Sequence, residues 1–154
     1  MKARTTVSCL AFLFAGVGLV LASDAQMGTW KLNEGKSKFS RGAARNHTVV
    51  YEAVGEDVKI TVDGIDREGK PLHSEWTGKF DGKEYPVTGD PNADARFYKK
   101  VDDRTLEMTV KKNGKTIVTG TIAISADGKT RTVTTTGLDS TGKKATNVAV
   151  YDKE

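Results

Sequence analysis

Apolar and polar side chains alternate one by one along most of the chain after residue 25. The segment 58–63 is the clearest case, because Val, Ile and Val hold alternate positions while Lys, Thr and Asp fill the positions between them. Segments 72–80 and 106–111 follow the same pattern. Successive side chains of a strand point to opposite faces, so the pattern predicts strands with one buried and one solvated face. No later segment shows a helical period, and the predicted fold class is all-β.

Glycine-containing turns separate these segments at a nearly constant interval. The candidate turn centres are Gly55, Gly69, Gly82, Gly114, Gly128 and Gly142. Asn-Gly and Asp-Gly favour two-residue type I′ hairpins, because Asn, Asp and Gly tolerate the positive φ angles that such turns need. The spacing predicts ten strands, beginning near residues 28, 46, 57, 71, 84, 95, 104, 115, 129 and 144.

A meander of this length leaves two exposed edges unless its first and last strands pair. We therefore predict an antiparallel up-and-down β-barrel of about 8–10 strands. A β-sandwich is the alternative architecture, because alternation alone does not distinguish one curved sheet from two packed sheets. The irregular stretch 34–45 is predicted to be a short helix or a lid.

The first 25 residues have the layout of a secretory signal peptide. Lys2 and Arg4 precede the uncharged run 9–21, which ends at small residues. That run is shorter than the roughly 20 residues of a spanning helix, so an uncleaved anchor is the less favoured alternative. We expect residues 1–25 to be a signal peptide, cleaved after Ala22 or Ala25, and residues 26–154 to form a single β-barrel domain without a stable membrane span. The expected location is periplasmic or secreted.

Charge and cysteine content narrow the function classes further. Without Lys2, Arg4 and Asp24 the chain has 22 basic and 19 acidic residues, and the two signs are interleaved. This mild excess argues against nucleic acid as a partner. The only cysteine, Cys9, lies within the predicted signal peptide, so no disulfide is expected in the mature protein.

Gly28-Thr29-Trp30, at the start of the predicted barrel, resembles the Gly-x-Trp motif on the first strand of the calycin families. These families include the lipocalins and the intracellular fatty-acid-binding proteins, which are closed antiparallel barrels that bind apolar ligands inside. The chain is also similar to small exported bacterial proteins of a lipocalin-like kind. The resemblance implies that Gly28 and Trp30 close the barrel, with a basic residue of a late strand across the tryptophan. Arg131 is the candidate for that basic residue.

The end of the chain resembles the C-terminal motif of the fatty-acid-binding proteins at one residue. Those proteins end with an Arg-x-Tyr pair that holds the ligand carboxylate, and Tyr151 matches its tyrosine. Ala149 stands where the arginine would be. The stretch 34–45 is also shorter than that family's two-helix portal. The resemblance thus implies the barrel without this route to carboxylate binding.

Few residues offer catalytic or metal chemistry. The mature chain has two histidines, His47 and His73, and no thiol, so we predict no metal site and no cofactor. No Gly-x-Ser-x-Gly elbow and no strand-to-helix phosphate loop occurs, which argues against those sites. His73 and Glu75 share a strand face and would be the candidate pair of a cavity enzyme if they converged inside. Threonines at alternate positions of 130–136 are expected to stabilise a strand, or to line a polar cavity if they point inward.

The function that these features favour is an exported protein holding a small hydrophobic or amphipathic molecule in the barrel. Two alternatives stay open: a solid barrel acting as an interaction module of the cell envelope, such as an inhibitor or adhesin, and a cavity enzyme. The oligomeric state is left open too. The candidate ligand-binding residues are Trp76, Phe80, Met108 and Tyr151.

Overall fold

The computed structural model describes residues 24–154, which form ten strands and one short 3-10 turn, Glu34–Lys36. The strands are β1 (Gly28–Leu32), β2 (Arg45–Val54), β3 (Asp57–Ile65), β4 (Pro71–Gly78), β5 (Tyr85–Thr88), β6 (Ala95–Asp102), β7 (Thr105–Lys112), β8 (Lys115–Ile124), β9 (Thr130–Leu138) and β10 (Lys144–Lys153). Each begins within one residue of its predicted start. Alternation and turn chemistry are local signals, which explains this agreement.

The sheet is one closed antiparallel barrel in which every strand pairs with its neighbours in the chain. β1 closes the ring by pairing with β10, where Trp30 lies opposite Lys153 and Leu32 lies opposite Tyr151. The predicted barrel is confirmed, and the sandwich alternative is wrong because the sheet has no break between two layers.

The predicted signal peptide lies almost wholly outside the described residues. Within 24–154, no helix combines the length and the apolar character needed to cross a bilayer.

The hairpin turns follow the predicted chemistry at Asn-Gly but not at Asp-Gly. Asn113 and Gly114 have φ values of 50° and 75°, as a type I′ turn requires. Asn113 is the only non-glycine residue with positive φ in the part of the chain that the structure describes. In the Asp127-Gly128 turn the aspartate instead accepts a hydrogen bond from the Lys129 N–H at 3.0 Å. This side-chain bond is typical of Asx turns, so the Asp-Gly sites do not adopt the predicted type I′ form.

One end of the barrel is closed around Trp30. Its side chain is fully buried, and its indole N–H donates to the Gln26 carbonyl at 2.8 Å. Gly28 has φ +111°, and a Cβ there would lie 3.0 Å from Cε of Lys153. The Lys153 ammonium lies 5.2 Å from the Trp30 ring centroid. Trp30 and Gly28 therefore occupy the predicted closing end, but the cation at the tryptophan is Lys153, and Arg131 lies elsewhere.

Trp76 organises an aromatic cluster in the core. Its ring stacks on Phe80 with centroids 6.3 Å apart and meets Tyr98 edge-on at 4.8 Å. The Trp76 indole N–H donates to the Arg96 carbonyl at 3.1 Å. Such a contact satisfies the one polar atom of a buried tryptophan, so the ring can fill the interior without leaving an unpaired hydrogen-bond donor.

Replacing Trp30 tests how much the barrel depends on its closed end. We expect Trp30→Ala to lower the free energy of unfolding by about 3–5 kcal/mol, because it empties a fully buried site. Urea denaturation followed by circular dichroism measures the loss. Phe97→Ala, at a half-buried aromatic residue whose neighbours Arg96 and Tyr98 point inward, is the matched control and should cost clearly less. Equal losses for the two variants would contradict the importance of Trp30.

Candidate functional site

A cavity of about 210 Å³ lies inside the barrel. Its walls include Tyr51, Met108 and Tyr151 from the strands and Phe39 from the long loop between β1 and β2. In an antiparallel meander this loop lies at the end away from the chain termini, together with the loops after β3, β5 and β9. The cavity therefore extends from the interior toward that end, which we call the mouth, while Trp30 occupies the opposite end.

Arg131 is the most unusual wall residue of the cavity. It points inward from β9 and is 4% exposed. Its Nη2 donates to the Tyr51 hydroxyl at 2.8 Å, and its Cζ lies 5.2 Å and 4.9 Å from the ring centroids of Tyr51 and Tyr151. Its Nε and Nη1 are buried without a hydrogen-bond partner. Arg131 is absent from the ion pairs among residues 24–154.

The two tyrosines beside Arg131 do not neutralise it. Burial raises the pKa of Tyr51 to about 12, although the charge of Arg131 acts in the opposite direction. Burial also raises the pKa of Tyr151. Both phenols are therefore neutral at physiological pH, whereas an arginine in a protein keeps its charge. Aromatic faces and one hydrogen bond stabilise this cation, and two of its nitrogens still lack acceptors.

A second arginine, Arg96, points into the same cavity from β6. Its Nη2 lies 3.0 Å from Oδ2 of Asp90, and both side chains are 11% exposed. Its Nε is buried without a hydrogen-bond partner. In contrast to Arg131, Arg96 forms a buried ion pair with an acidic residue, so its charge is compensated within the protein.

The charged residues that line the cavity are three arginines and two aspartates, Arg67, Arg96, Arg131, Asp66 and Asp90. Asp66 and Arg67 lie at the mouth, in the turn after β3. The Asp66 carboxylate accepts hydrogen bonds from the backbone N–H groups of Glu68 and Lys70, and Arg67 donates to the Leu138 carbonyl. The lining thus has a net charge of +1, and the interior charge without an acidic partner is that of Arg131.

The structure brings together only part of the predicted ligand-binding set. Met108 and Tyr151 line the cavity, while Trp76 and Phe80 belong to the adjoining aromatic cluster and are absent from its wall. Arg131 lies directly opposite Tyr151 in the β9–β10 register. An arginine therefore does lie beside the C-terminal tyrosine. It comes from the neighbouring strand β9, and not from position 149 of the same strand, which is Ala149.

Three residues of this site, Tyr51, Asp90 and Arg96, were missed by sequence reasoning. The strand phase of β6 contains a signal for one of them, because Arg96 and Tyr98 alternate with Phe97 and Lys99. An arginine sharing the face of a buried tyrosine is a candidate interior charge. Asp90 carries no such signal, since it lies in a loop whose approach to Arg96 depends on the fold.

The predicted enzyme pair lies on the outer face of the barrel. The side chains of His73 and Glu75 are 59% and 42% exposed, with Nε2 and Oε1 3.7 Å apart. A hydrogen bond to Asp63 raises the pKa of His73, which shows an ordinary surface ion pair. The even-numbered threonines of 130–136 point outward as well, because Arg131, Val133 and Thr135 line the cavity.

Comparison with protein-family models and with curated protein sequences gave no significant match. The agreement with the calycins is therefore limited to the closed antiparallel barrel of ten strands. Any function of the cavity has to be inferred from its own residues.

The raised pKa of Tyr51 makes stability depend on alkaline pH. A folded-state pKa of about 12, against 10.0 for an unperturbed tyrosine, means that folding favours the neutral phenol. This contribution is complete below about pH 10 and is lost as the pH rises toward 12. From about pH 10 to 11, the free energy of unfolding should fall by about 1 kcal/mol more in the wild type than in Tyr51→Phe. Urea titrations of both proteins measure the difference, and parallel pH profiles would contradict it.

Proposed function

We propose that this protein is an exported ligand-binding protein whose barrel holds a small amphipathic molecule with an anionic head group, such as a carboxylate. The observation that carries the proposal is the buried guanidinium of Arg131, which has two nitrogens without partners. A buried charge left uncompensated costs several kcal/mol, so an anion that reaches it gains binding free energy. Burial of an apolar chain against the remaining wall adds to that gain.

The head group would bind at the deep end of the cavity. Nε and Nη1 of Arg131 are free to donate hydrogen bonds to carboxylate oxygens. The Tyr51 hydroxyl accepts a hydrogen bond from Arg131 and keeps its own O–H for donation. Charge-assisted hydrogen bonds of this kind are about twice as strong as neutral ones. Arg131 and Tyr51 would therefore determine the orientation of the ligand.

The apolar part of the ligand would extend toward the mouth along Met108, Val133 and Ile60. At about 30 Å³ for each water-sized group, a cavity of about 210 Å³ holds about seven such groups. This size suits a short or medium alkyl chain better than a long one. Octanoate, whose chain has seven carbons beyond its carboxylate, is therefore a suitable probe. Its neutral and cationic analogues, octanol and octylamine, separate head-group charge from chain burial.

Two observations favour ligand binding over the alternative functions. A solid interaction module would have a filled interior, whereas this barrel contains a cavity with buried charges. A cavity enzyme built on His73 and Glu75 would need both groups inside, whereas both lie on the outer face.

Substitution of Arg131 tests the proposal. We expect wild-type protein to bind octanoate more tightly than octanol or octylamine, and Arg131→Met to weaken octanoate binding by about tenfold or more. Isothermal titration calorimetry measures both comparisons. Lys153→Met removes the same charge beside the aromatic ring of Trp30, outside the cavity wall, and should leave octanoate affinity unchanged. Equal affinity of wild type and Arg131→Met for octanoate would refute the proposal.

Export belongs to the same proposal, and contacts near the start of the barrel favour one cleavage position. The Asp24 carboxylate accepts a hydrogen bond from the Gln26 N–H at 3.0 Å and lies 3.6 Å from the Lys100 ammonium. Gln26 itself is 1% exposed. Cleavage after Ala25 would remove Asp24 and place a charged amino group on this buried residue, whereas cleavage after Ala22 keeps these contacts.

We therefore expect the exported protein to begin at Ser23. Intact-mass analysis of protein recovered from the periplasm or the medium, after expression of the full chain, determines the new N-terminus. A mature protein beginning at Gln26 would contradict the importance of these contacts, and an uncleaved chain would contradict export by a signal peptide.

A further inference from the structure

We infer that Asp90 restricts the cavity to ligands whose head group has a single negative charge. The inference rests on the proposed function and makes it more specific. Asp90 neutralises Arg96, one of the two buried arginines of the cavity wall, so the wall has one uncompensated positive charge to offer. A monoanion balances that charge, whereas the second charge of a dianion would find no uncompensated cation in the wall.

The ion pair between Asp90 and Arg96 lies in the cavity wall itself. Both residues line the cavity, and Nη2 of Arg96 is 3.0 Å from Oδ2 of Asp90. With both side chains 11% exposed, water screens their charges only weakly. The free Nε of Arg96 shows that this guanidinium could also donate to a ligand. Without the carboxylate, the cavity would therefore have two arginines available for an anion.

Asp90 is held in place by its own loop. Its Oδ1 accepts a hydrogen bond from the Asn92 N–H at 2.9 Å, and its carbonyl accepts one from the Ala93 N–H at 3.4 Å. Gly89, just before it, has φ +81°, and a Cβ there would collide with the His73 carbonyl. The backbone around Asp90 is thus fixed by close packing, so its carboxylate remains beside Arg96 when a ligand enters.

The remaining charged and titratable residues of the wall leave the same single uncompensated positive charge. Asp66 and Arg67 lie at the mouth and offset each other, and the phenols of Tyr51 and Tyr151 are neutral. Asp90, in the loop after β5, offsets Arg96 in the cavity wall, which leaves Arg131. The charged residues of the wall thus match a ligand of charge −1.

Octyl sulfate and octyl phosphate test the inference, because they have the same chain and similar tetrahedral head groups. At about pH 8 the sulfate is a monoanion and the phosphate is mostly a dianion, since its second pKa is near 6. We expect wild-type protein to bind octyl sulfate about tenfold or more tightly than octyl phosphate. Asp90→Asn removes the charge and keeps one oxygen, which can still accept the hydrogen bond from the Asn92 N–H, while Arg96 loses its carboxylate partner. This variant should reduce the preference about tenfold or reverse it.

Asp94→Asn is the matched control, because Asp94 lies in the same loop, is exposed, and accepts a hydrogen bond from the Asn113 N–H away from the cavity wall. It should keep the wild-type preference. A second measurement needs no variant. At about pH 5 octyl phosphate is mostly a monoanion, and wild-type protein should then bind it about as tightly as octyl sulfate.

Calorimetry and circular dichroism distinguish the outcomes. An unchanged sulfate preference in folded Asp90→Asn would overturn the inference. So would wild-type protein that does not prefer octyl sulfate over octyl phosphate at about pH 8. In either case octanoate binding that depends on Arg131 would leave the proposed function standing. If the wild-type protein binds neither octanoate nor octyl sulfate, the proposed function and the inference are both overturned.

Discussion

The pairing of β1 with β10 is the constraint on which the rest of this structure depends. Only five residues long, β1 is hydrogen-bonded to β10 on one side and to β2 on the other. This closure satisfies the backbone groups that two free edges would expose. It also turns one face of every strand into a shared interior, which is how Arg131 of β9 comes to lie between Tyr51 of β2 and Tyr151 of β10.

A charged group in this interior loses its solvation by water, and the two buried arginines are stabilised in different ways. Arg96 has a carboxylate partner at 3.0 Å. Arg131 has two aromatic faces and one phenolic oxygen, which stabilise a cation without neutralising it. Removing a charge from water is tolerated only when partners replace the lost solvation. The incomplete set of partners at Arg131 therefore connects the energetics of the fold to the proposed binding of an anion.

The strands and most turns could be predicted from the sequence because their signals are local. Alternation marks the strands, and Asn113-Gly114 marks a type I′ hairpin from two residues alone. The partners of Arg131 could not be predicted in the same way, since Tyr51 is 80 residues away in the chain. The sequence around Arg131, with threonines on either side, is equally typical of an exposed strand.

The contact of Lys153 with Trp30 at the closed end could not be predicted from the sequence either. Its place over Trp30 depends on the register of β1 against β10, and no pattern within either segment indicates that register. For the stretch 34–45 the sequence predicts a short helix or a lid. It contains a single 3-10 turn, Glu34–Lys36, and contributes Phe39 to the cavity wall. Local patterns thus predict elements, while interior chemistry depends on how distant elements meet.

A crystal structure of the protein with octanoate tests the central claim most directly, because it locates the head group. We expect a carboxylate oxygen within about 3 Å of Nε or Nη1 of Arg131, with the chain extending toward the mouth. A carboxylate bound at the mouth, or octanoate bound only on the outer face of the barrel, would contradict a cavity built around an uncompensated arginine.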